Sequence, residues 1–302
     1  MITRTPTEFF RHAATLAADR SATAKAAFVV TPLGFRLAEQ SATDNTYMAG
    51  AEAFDADAAL AQHRELQRRL SLILPTIAFP GSAETPDAVF PNNAFGTACG
   101  TAIVGRMRHE VRQRETQRTD IRRFFSDVLG YDIVDLSLQD HPAELTGALV
   151  MDRARGLGFF GLSERCDEEG ARLMHQAFGL RASLLFDLAP GEYHTNVVLA
   201  ILAGRAAVVC PNGFADPVIP QAIADFYAPS AVICSPEEHA AFVGNCISVS
   251  SDTVWMSQRA ADALSAPHRD VLNAAGLKVE SVALDAIEAA GGSLRCCVGE
   301  IF

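Results

Sequence analysis

The chain has 302 residues, of which 49% are hydrophobic and 20% charged, a balance typical of a globular protein with one large domain or two small ones. Its net charge of -11 argues against a nucleic-acid partner, because binding to phosphates needs a concentrated basic face. No apolar run approaches the roughly 18 residues that a membrane span requires.

The N-terminal 26 residues predict a helical extension ahead of a single domain that spans residues 27–302. Phe10, Ala13 and Ala17 follow one another at helical spacing, which indicates a short amphipathic helix. The segment has neither a continuous apolar core nor a signal-cleavage pattern, so we expect a cytoplasmic protein. The sequence leaves open whether this helix is a dimer contact or a lid over a site.

The most basic stretch of the chain is GRMRHEVRQRETQRTDIRR. Its arginines alternate with Glu110, Glu115 and Asp120, which weakens any continuous basic face. We therefore interpret it as a solvated loop that runs into a helix, and not as a nucleic-acid patch.

The seven cysteines are odd in number and scattered along the chain. This pattern fits a reducing compartment without a disulfide framework. The chain has no Cys-x-x-Cys motif, so we expect neither a metal site nor a metal cofactor.

An order of strand, strand, helix and strand repeats along the chain. In the clearest copy GALVMD and GLGFFGLS are strands, CDEEGARLMHQAFG is a helix that ends at a glycine, and RASLLFDL is the last strand. The other copies begin with the strands AFGTAC, HTNVVLAIL, CISVSS and GSLRCCVGEIF.

The copy that begins with GSLRCCVGEIF is completed from the other end of the chain, by KAAFVVTPL and the helix and strand that follow it. A fixed period of about fifty residues indicates a ring or a stack of equal units. Because both chain ends contribute to one unit, the sequence predicts a ring of five units, which is an α/β propeller.

One polar residue opens each of the five copies, at intervals of 51, 50, 51 and 51 residues. The five are Asn93, Glu144, His194, Asn245 and Cys296. Each is expected at the mouth of an otherwise apolar strand, facing the ring axis, and core packing does not explain this. Because side chains alternate across a strand, Cys296 is expected to face the axis and Cys297 to point away from it.

A cysteine, a histidine and a carboxylate at one pore suit nucleophilic catalysis. The thiolate of Cys296 is the candidate nucleophile, and it needs a nearby cation or base. His194 is a natural proton shuttle, and Glu144 either holds this histidine or binds a cationic substrate. The alternatives are a cysteine–histidine metal site and, for Glu144, a turn residue.

Four segments in order, PDAVFPNNAF, ELTGALVMDR, YHTNVVLAI and GGSLRCCVGEIF, resemble the guanidino-group-modifying enzymes of the pentein fold. The likeness is strongest to the arginine deiminase-related, amidinotransferase and citrulline hydrolase-like branch, and it implies a five-bladed fold that needs no cofactor. It also implies that Cys296 attacks a guanidino or ureido carbon, that His194 protonates the leaving amine, and that Glu144 holds the substrate nitrogens.

The arginine enzymes of this superfamily carry a second carboxylate where this chain has Asn93. A guanidinium prefers paired carboxylates, whereas an amide both donates and accepts and suits a neutral ureido group. Asn93, with Asn92 and Asn245 as further binding residues, therefore favours citrulline, which would yield ornithine, ammonia and carbon dioxide. Asp87 restores a second charge in the alternative, a deiminase, dihydrolase or amidinotransferase that acts on a guanidine.

The groups that shape the substrate pocket depart from this branch. Ala94 replaces its usual aromatic residue and Thr31 replaces an arginine before Pro32, so the substrate tail is left open. Candidate carboxylate anchors, for which surface ion pairs are the expected role, are Arg36, Arg165 and Arg295. We expect a small amino-acid-like substrate, with a homodimer as an open alternative. A non-catalytic ring that serves as a binding module is the alternative of another class.

Overall fold

A computed structural model describes residues 1–36, 39–48 and 55–302. The strands are β1 Ile2–Thr3, β2 Ala26–Val30, β3 Thr76–Phe79, β4 Phe95–Ala98, β5 Thr101–Val104, β6 Asp132–Asp135, β7 Leu149–Asp152, β8 Leu157–Leu162, β9 Ala182–Asp187, β10 Leu199–Leu202, β11 Ala206–Val209, β12 Ala231–Ile233, β13 Thr253–Ser257, β14 Lys278–Val282 and β15 Gly299–Ile301. The α-helices are α1 Pro6–Ala13, α2 Glu39–Ala42, α3 Ala56–Leu70, α4 Glu110–Gln113, α5 Thr119–Arg123, α6 Leu145–Ala148, α7 Glu168–Ala177, α8 Thr195–Val198, α9 Val218–Tyr227, α10 Pro236–Ala240, α11 Gln258–Ala263, α12 Ala266–Ala274 and α13 Asp285–Glu288.

The described strands form five separate sheets, and four of these repeat one pattern. An antiparallel pair is followed by a parallel strand in β4–β5–β6, β7–β8–β9, β10–β11–β12 and β15–β2–β3. The last of these sheets joins the two ends of the chain, since Gly299 pairs with Phe28. The predicted α/β repeat is therefore present. No closed sheet occurs among the described strands, so their arrangement as five blades around an axis stays a prediction.

One repeat is reduced. Its sheet contains only the parallel pair β13–β14, and the predicted first strand CISVSS contributes a single bridge from Ile247 to Trp255. The segment is still buried at Cys246 and Val249, so it packs as a core segment without forming a ladder.

The predicted first strands begin later than the apolar pattern indicates. The short helices α6 and α8 and a 3₁₀ turn at Leu294–Cys297 precede β7, β10 and β15. Glu144 and His194 therefore lie at the N-caps of α6 and α8. Because Cys296 and Cys297 lie in the turn, the prediction that they alternate across a strand is wrong, and both side chains are buried. A short apolar run does not distinguish a helical turn from a strand, which explains the error.

Two of the predicted helices are interrupted. QRAADALSAPHRDVLNAAG divides into α11 and α12 because Leu264 has an extended backbone, and Pro267 then lies in the first turn of α12. The helix in TDIRRFFSDVLG begins as α5 and continues as a π-helical turn over Phe124–Val128.

The N-terminal segment packs on one sheet. Strand β1 pairs in parallel with β9, and Phe9 of α1 packs edge-on against Phe159 of β8 with ring centroids 5.5 Å apart. The domain boundary after residue 26 stays a prediction. Across the described residues, the helices are too short or too polar to cross a membrane.

Candidate active site

Hydrogen bonds join the five copies in turn. The Thr146 hydroxyl donates to the carbonyl oxygen of Asn92, and the Asn196 amide donates to that of Thr146, each at 3.0 Å. The Asn245 amide donates to the Asn196 carbonyl oxygen at 2.8 Å, and its own Oδ1 accepts from the backbone N–H of Arg295 at 3.0 Å. Residues at or close to the aligned positions are therefore linked from one copy to the next.

Cys296 lies at this meeting point and is only 2% exposed. Its Sγ accepts a hydrogen bond from Asn245 Nδ2 at 3.3 Å and lies 3.8 Å from Asn196 Oδ1. Burial raises the pKa of the Cys296 thiol, while the hydrogen bond from Asn245 opposes that rise. Cys297 is different, since its Sγ faces the Ser293 carbonyl oxygen at 3.5 Å and burial raises its pKa well above the ordinary value.

His194 and Glu144 form a fully buried pair, in which His194 Nε2 lies 2.8 Å from Glu144 Oε2. Burial lowers the pKa of His194 although Glu144 opposes this, so the imidazole is neutral at pH 7. An ionised carboxylate only accepts hydrogen bonds, which assigns the ring proton to Nε2. Nδ1 then keeps a free lone pair, and it is buried without a partner among the described residues. This nitrogen can act as a general base.

Two buried arginines keep Glu144 ionised. Arg165 Nη1 and Arg112 Nη1 lie 3.2 Å and 3.8 Å from Glu144 Oε2. Burial alone would raise the pKa of this carboxyl group, but Arg165, His194 and Arg112 together lower it well below its ordinary value. The backbone N–H of Arg108 donates to the other oxygen at 3.0 Å. Protein groups thus bind both carboxylate oxygens, which favours a role for Glu144 in positioning His194 over direct contact with a substrate.

Gly147 allows the neighbouring groups to approach. A Cβ on this glycine would lie 2.5 Å from Asn93 Oδ1 and 2.8 Å from His194 Nε2. Both distances are below van der Waals contact, so any larger residue would move one of these two groups.

A narrow cleft, open to solvent, lies over Cys296. Its lining includes Asp87, Asn93, Arg112, Arg165 and Tyr193. His194 and Glu144 are fully buried and do not line this cleft.

The predicted substrate-binding residues differ in their surroundings. Asp87 and Asn93 both line the cleft, and Asp87 accepts a hydrogen bond from the Ser41 hydroxyl. Asn93 Oδ1 is buried and has no partner among the described residues. Asn92 is buried with its amide unpaired within the same described part of the chain, but it does not line the cleft. Asn245 binds the Cys296 thiol, so it acts on the nucleophile.

Residues 39–48 pack against the cleft, which the sequence pattern does not predict. Asp44 accepts hydrogen bonds from Arg165 Nε at 2.9 Å and Nη2 at 2.5 Å. The Asn45 amide donates to the carbonyl oxygen of Gly291 at 3.3 Å, close to the turn that carries Cys296. This segment therefore forms part of the wall of the site.

Two cleft arginines contradict the sequence interpretation. Arg112 was expected in a solvated loop and Arg165 in a surface ion pair, but they are 3% and 1% exposed. Arg112 is paired with Glu115 at 2.9 Å, and the spacing of three residues between them is the one available signal for a buried pair. Arg36 is exposed, and neither it nor Arg295 lines the cleft.

This repeated α/β fold, with Cys296 at the cleft and the buried pair of His194 and Glu144, belongs with the guanidino-modifying enzymes of the pentein superfamily. The model of the family described as N,N dimethylarginine dimethylhydrolase, eukaryotic, matches residues 31–302, and the chain belongs to this family. The predicted membership of the pentein-type guanidino-modifying enzymes is confirmed by this family model.

One curated relative is the N(G),N(G)-dimethylarginine dimethylaminohydrolase of Mycobacterium tuberculosis, which is 29% identical over 216 residues. The alignment covers 72% of this chain and 66% of the relative, so it spans slightly less than two thirds of that protein.

Two solved structures share the fold. The N-terminal domain of ArgZ, an arginine dihydrolase from the ornithine–ammonia cycle in cyanobacteria, matches with a TM-score of 0.79 and 20% identity, over 91% of this chain and 97% of that one. A dimethylarginine dimethylaminohydrolase adduct with S-methyl-L-thiocitrulline matches with a TM-score of 0.72 and 21% identity, over 92% of this chain and 100% of that one. At these identities the likeness concerns the fold.

Proposed function

We propose that this protein hydrolyses the guanidino group of arginine or of an Nω-methylated arginine, with Cys296 as the nucleophile. The expectation of citrulline as the substrate is not supported, because the relatives are named for dimethylarginine and arginine hydrolysis. One structural observation carries the proposal, namely that the Asp87 carboxylate lines the same cleft as Cys296. It supplies the negative charge that Asn93 lacks, and a guanidinium gains from that charge whereas a neutral ureido group does not.

The cleft offers complementary groups for each part of such a substrate. The guanidinium donates to Asp87 and to the unpaired Oδ1 of Asn93. The substrate α-carboxylate pairs with Arg112, whose Nη1 donates no hydrogen bond to any described residue. Charge-assisted contacts at both ends orient the guanidino carbon towards Cys296.

The substrate also activates the nucleophile. In the free enzyme the thiol and the imidazole are both neutral, because burial disfavours their charged forms. A bound guanidinium stabilises the thiolate electrostatically, and the proton passes from Sγ of Cys296 to Nδ1 of His194.

The chemistry then proceeds in two displacements. Sγ attacks the guanidino carbon, and the tetrahedral adduct collapses as His194 Nδ1 protonates the leaving ammonia or methylated amine. His194 next removes a proton from water, which attacks the same carbon and expels the Cys296 thiolate. The product is citrulline, and a dihydrolase would carry it through a second round to ornithine, ammonia and carbon dioxide.

The same proposal includes the wider architecture. The hydrogen bonds that run from Asn92 through Asn196 to Arg295 support a ring of five modules around one axis. An N-terminal extension over residues 1–26, a cytoplasmic location and a homodimer stay predictions beside it.

Product analysis by mass spectrometry tests the function, with arginine, asymmetric dimethylarginine and citrulline as substrates. We expect citrulline from one or both guanidines, no turnover in Cys296→Ser, and a loss in kcat/KM of about 30-fold or more in Asp87→Asn. Asp127→Asn is the matched control, because its side chain is 64% exposed. Ornithine formed from citrulline alone, at a rate that Asp87→Asn does not change, would contradict the proposal.

A further inference from the structure

A second, narrow cavity, open to solvent, shares no lining residue with the catalytic cleft. Its walls come from β7, β10 and the segment 246–248, together with Arg295 and Glu300 near the C-terminal end. Asn196 also lines it, and Oδ1 of this residue lies 3.8 Å from Cys296 Sγ. The cavity therefore begins directly behind the nucleophile.

The walls of this cavity carry more positive than negative charge. Arg295 Nη2 lies 3.0 Å from Glu300 Oε2, and Arg153 Nη2 lies 4.0 Å from the same oxygen. The Glu300 carboxylate is thus the shared counter-ion of two guanidiniums. No other charged residue of the described chain lines the cavity. Burial and the neighbouring charge of Arg295 lower the pKa of Arg153 to about 10, although Glu300 opposes them. The lining groups therefore carry one net positive charge, although the Arg153 guanidinium also lies 4.0 Å over the Phe302 ring.

Hydrogen-bond donors also remain unused here. Ser248 is 5% exposed and lines the cavity, and its Oγ is buried with no partner among the described residues. Arg153 donates through Nη1 to the Thr97 carbonyl oxygen at 2.9 Å, while its Nη2 donates to no described residue. Buried polar groups are normally satisfied, so the unpaired Ser248 hydroxyl, in the same cavity as a guanidinium with a free N–H, indicates a missing acceptor.

We propose that this cavity binds a small oxyanion, such as inorganic phosphate, sulfate or the carboxylate of a small acid. The oxyanion accepts hydrogen bonds from Arg153, Arg295 and the Ser248 hydroxyl, and its charge neutralises the excess guanidinium. Planar guanidiniums beside a hydroxyl suit the several oxygens of such an anion. The site lies outside the catalytic cleft, so it does not depend on the reaction proposed above.

Isothermal titration calorimetry with sodium phosphate tests this site. We expect one phosphate per chain with a millimolar dissociation constant, and about tenfold weaker binding in Ser248→Ala and in Arg295→Gln. Glu300→Gln should bind phosphate about fivefold more tightly, because it removes the competing negative charge. Arg123→Gln is the control for general charge effects, since its side chain is 81% exposed.

The catalytic cleft also contains arginines, and Arg112→Gln separates the two sites. Phosphate binding that disappears in Arg112→Gln and persists in Ser248→Ala would place the anion in the cleft and overturn the proposal. The absence of binding to the unmodified protein at about 10 mM phosphate would overturn it too. If Arg295→Gln fails to fold, the other two variants still test the proposal. Ser248→Ala should weaken phosphate binding, whereas Glu300→Gln should strengthen it.

Discussion

Glu144 Oε2 lies 2.8 Å from His194 Nε2, and the same oxygen lies 3.2 Å from Arg165 Nη1. The arginine keeps the carboxylate ionised, and the carboxylate then fixes the ring proton on Nε2. Nδ1 of the histidine is left as an unprotonated base. The charge of the buried arginine thus helps to set the orientation and protonation state of His194, the proposed general base.

Replacing Glu144 with glutamine should therefore reduce kcat on the order of 10³-fold with a smaller change in KM, because the amide lacks the negative charge and can donate as well as accept, so it no longer fixes the ring proton on Nε2. Since Glu144 raises the pKa of His194, its loss should lower that pKa further, which NMR of the labelled ring can measure. The two buried arginines lose their shared counter-ion, so the free energy of unfolding should fall by about 3–5 kcal/mol. Glu164→Gln is the control, since its side chain is 69% exposed. An unchanged kcat would remove Glu144 from the mechanism.

The adjacent cysteines should behave differently when each is replaced. Cys296→Ser should abolish turnover while leaving the fold intact, because the thiol is the attacking group. Cys297→Ser should retain most of the activity and lower the free energy of unfolding by about 1 kcal/mol, because Cys297 packs in a core. Kinetics and urea denaturation of both variants check this. Loss of turnover in Cys297→Ser but not in Cys296→Ser would contradict the assignment of Cys296 as the nucleophile.

Alkylation of Cys296 by iodoacetamide should accelerate with pH in the free enzyme. Burial raises the pKa of this thiol, so the reactive thiolate is the minor form at neutral pH. Its fraction, and with it the alkylation rate, should increase about tenfold per pH unit until the raised pKa is reached. Peptide mass spectrometry follows Cys296 separately from Cys99, the exposed thiol among the cysteines, which serves as the internal reference. A rate that is already constant below pH 7 would mean a preformed ion pair with His194.

The repeat register predicts more of this site than any single motif does. The spacing of Asn93, Glu144, His194, Asn245 and Cys296 anticipates which side chains or backbones meet, since it reports the geometry of equal units. It does not distinguish a helical turn from a strand at the start of each unit, because both are short apolar runs.

The charges of the cleft are harder to predict, and Arg112 shows the reason. It lies within a run of alternating charges, which is typical of a solvated surface. Its burial depends on Glu115 nearby and on Glu144 from another repeat, and the second contact exists only in the folded chain. Asp87 is equally hard to assign from sequence. Its carboxylate can bind a guanidinium only because the fold places it in the same cleft as Cys296.

His63 is a buried group whose replacement should stabilise the protein. It is fully buried on α3, and neither ring nitrogen has a partner among the described residues. Burial lowers the pKa of His63 to about 4. At pH 7.5 His63→Leu should raise the free energy of unfolding by about 1 kcal/mol, because an unpaired imidazole leaves the core.

The effect of His63→Leu should grow as the pH falls. The unfolded chain protonates this histidine at its ordinary pKa near 6.5, whereas the folded chain resists protonation down to about 4. The unmodified protein therefore loses stability as the pH falls from 6.5 towards 4. This loss amounts to about 2 kcal/mol at pH 5, and it does not occur in His63→Leu because leucine does not titrate. Urea denaturation of both proteins at pH 7.5 and pH 5 measures the gap, with His12→Gln on the partly exposed side of α1 as the control. An equal gap at both pH values would show that His63 is not held neutral in the core.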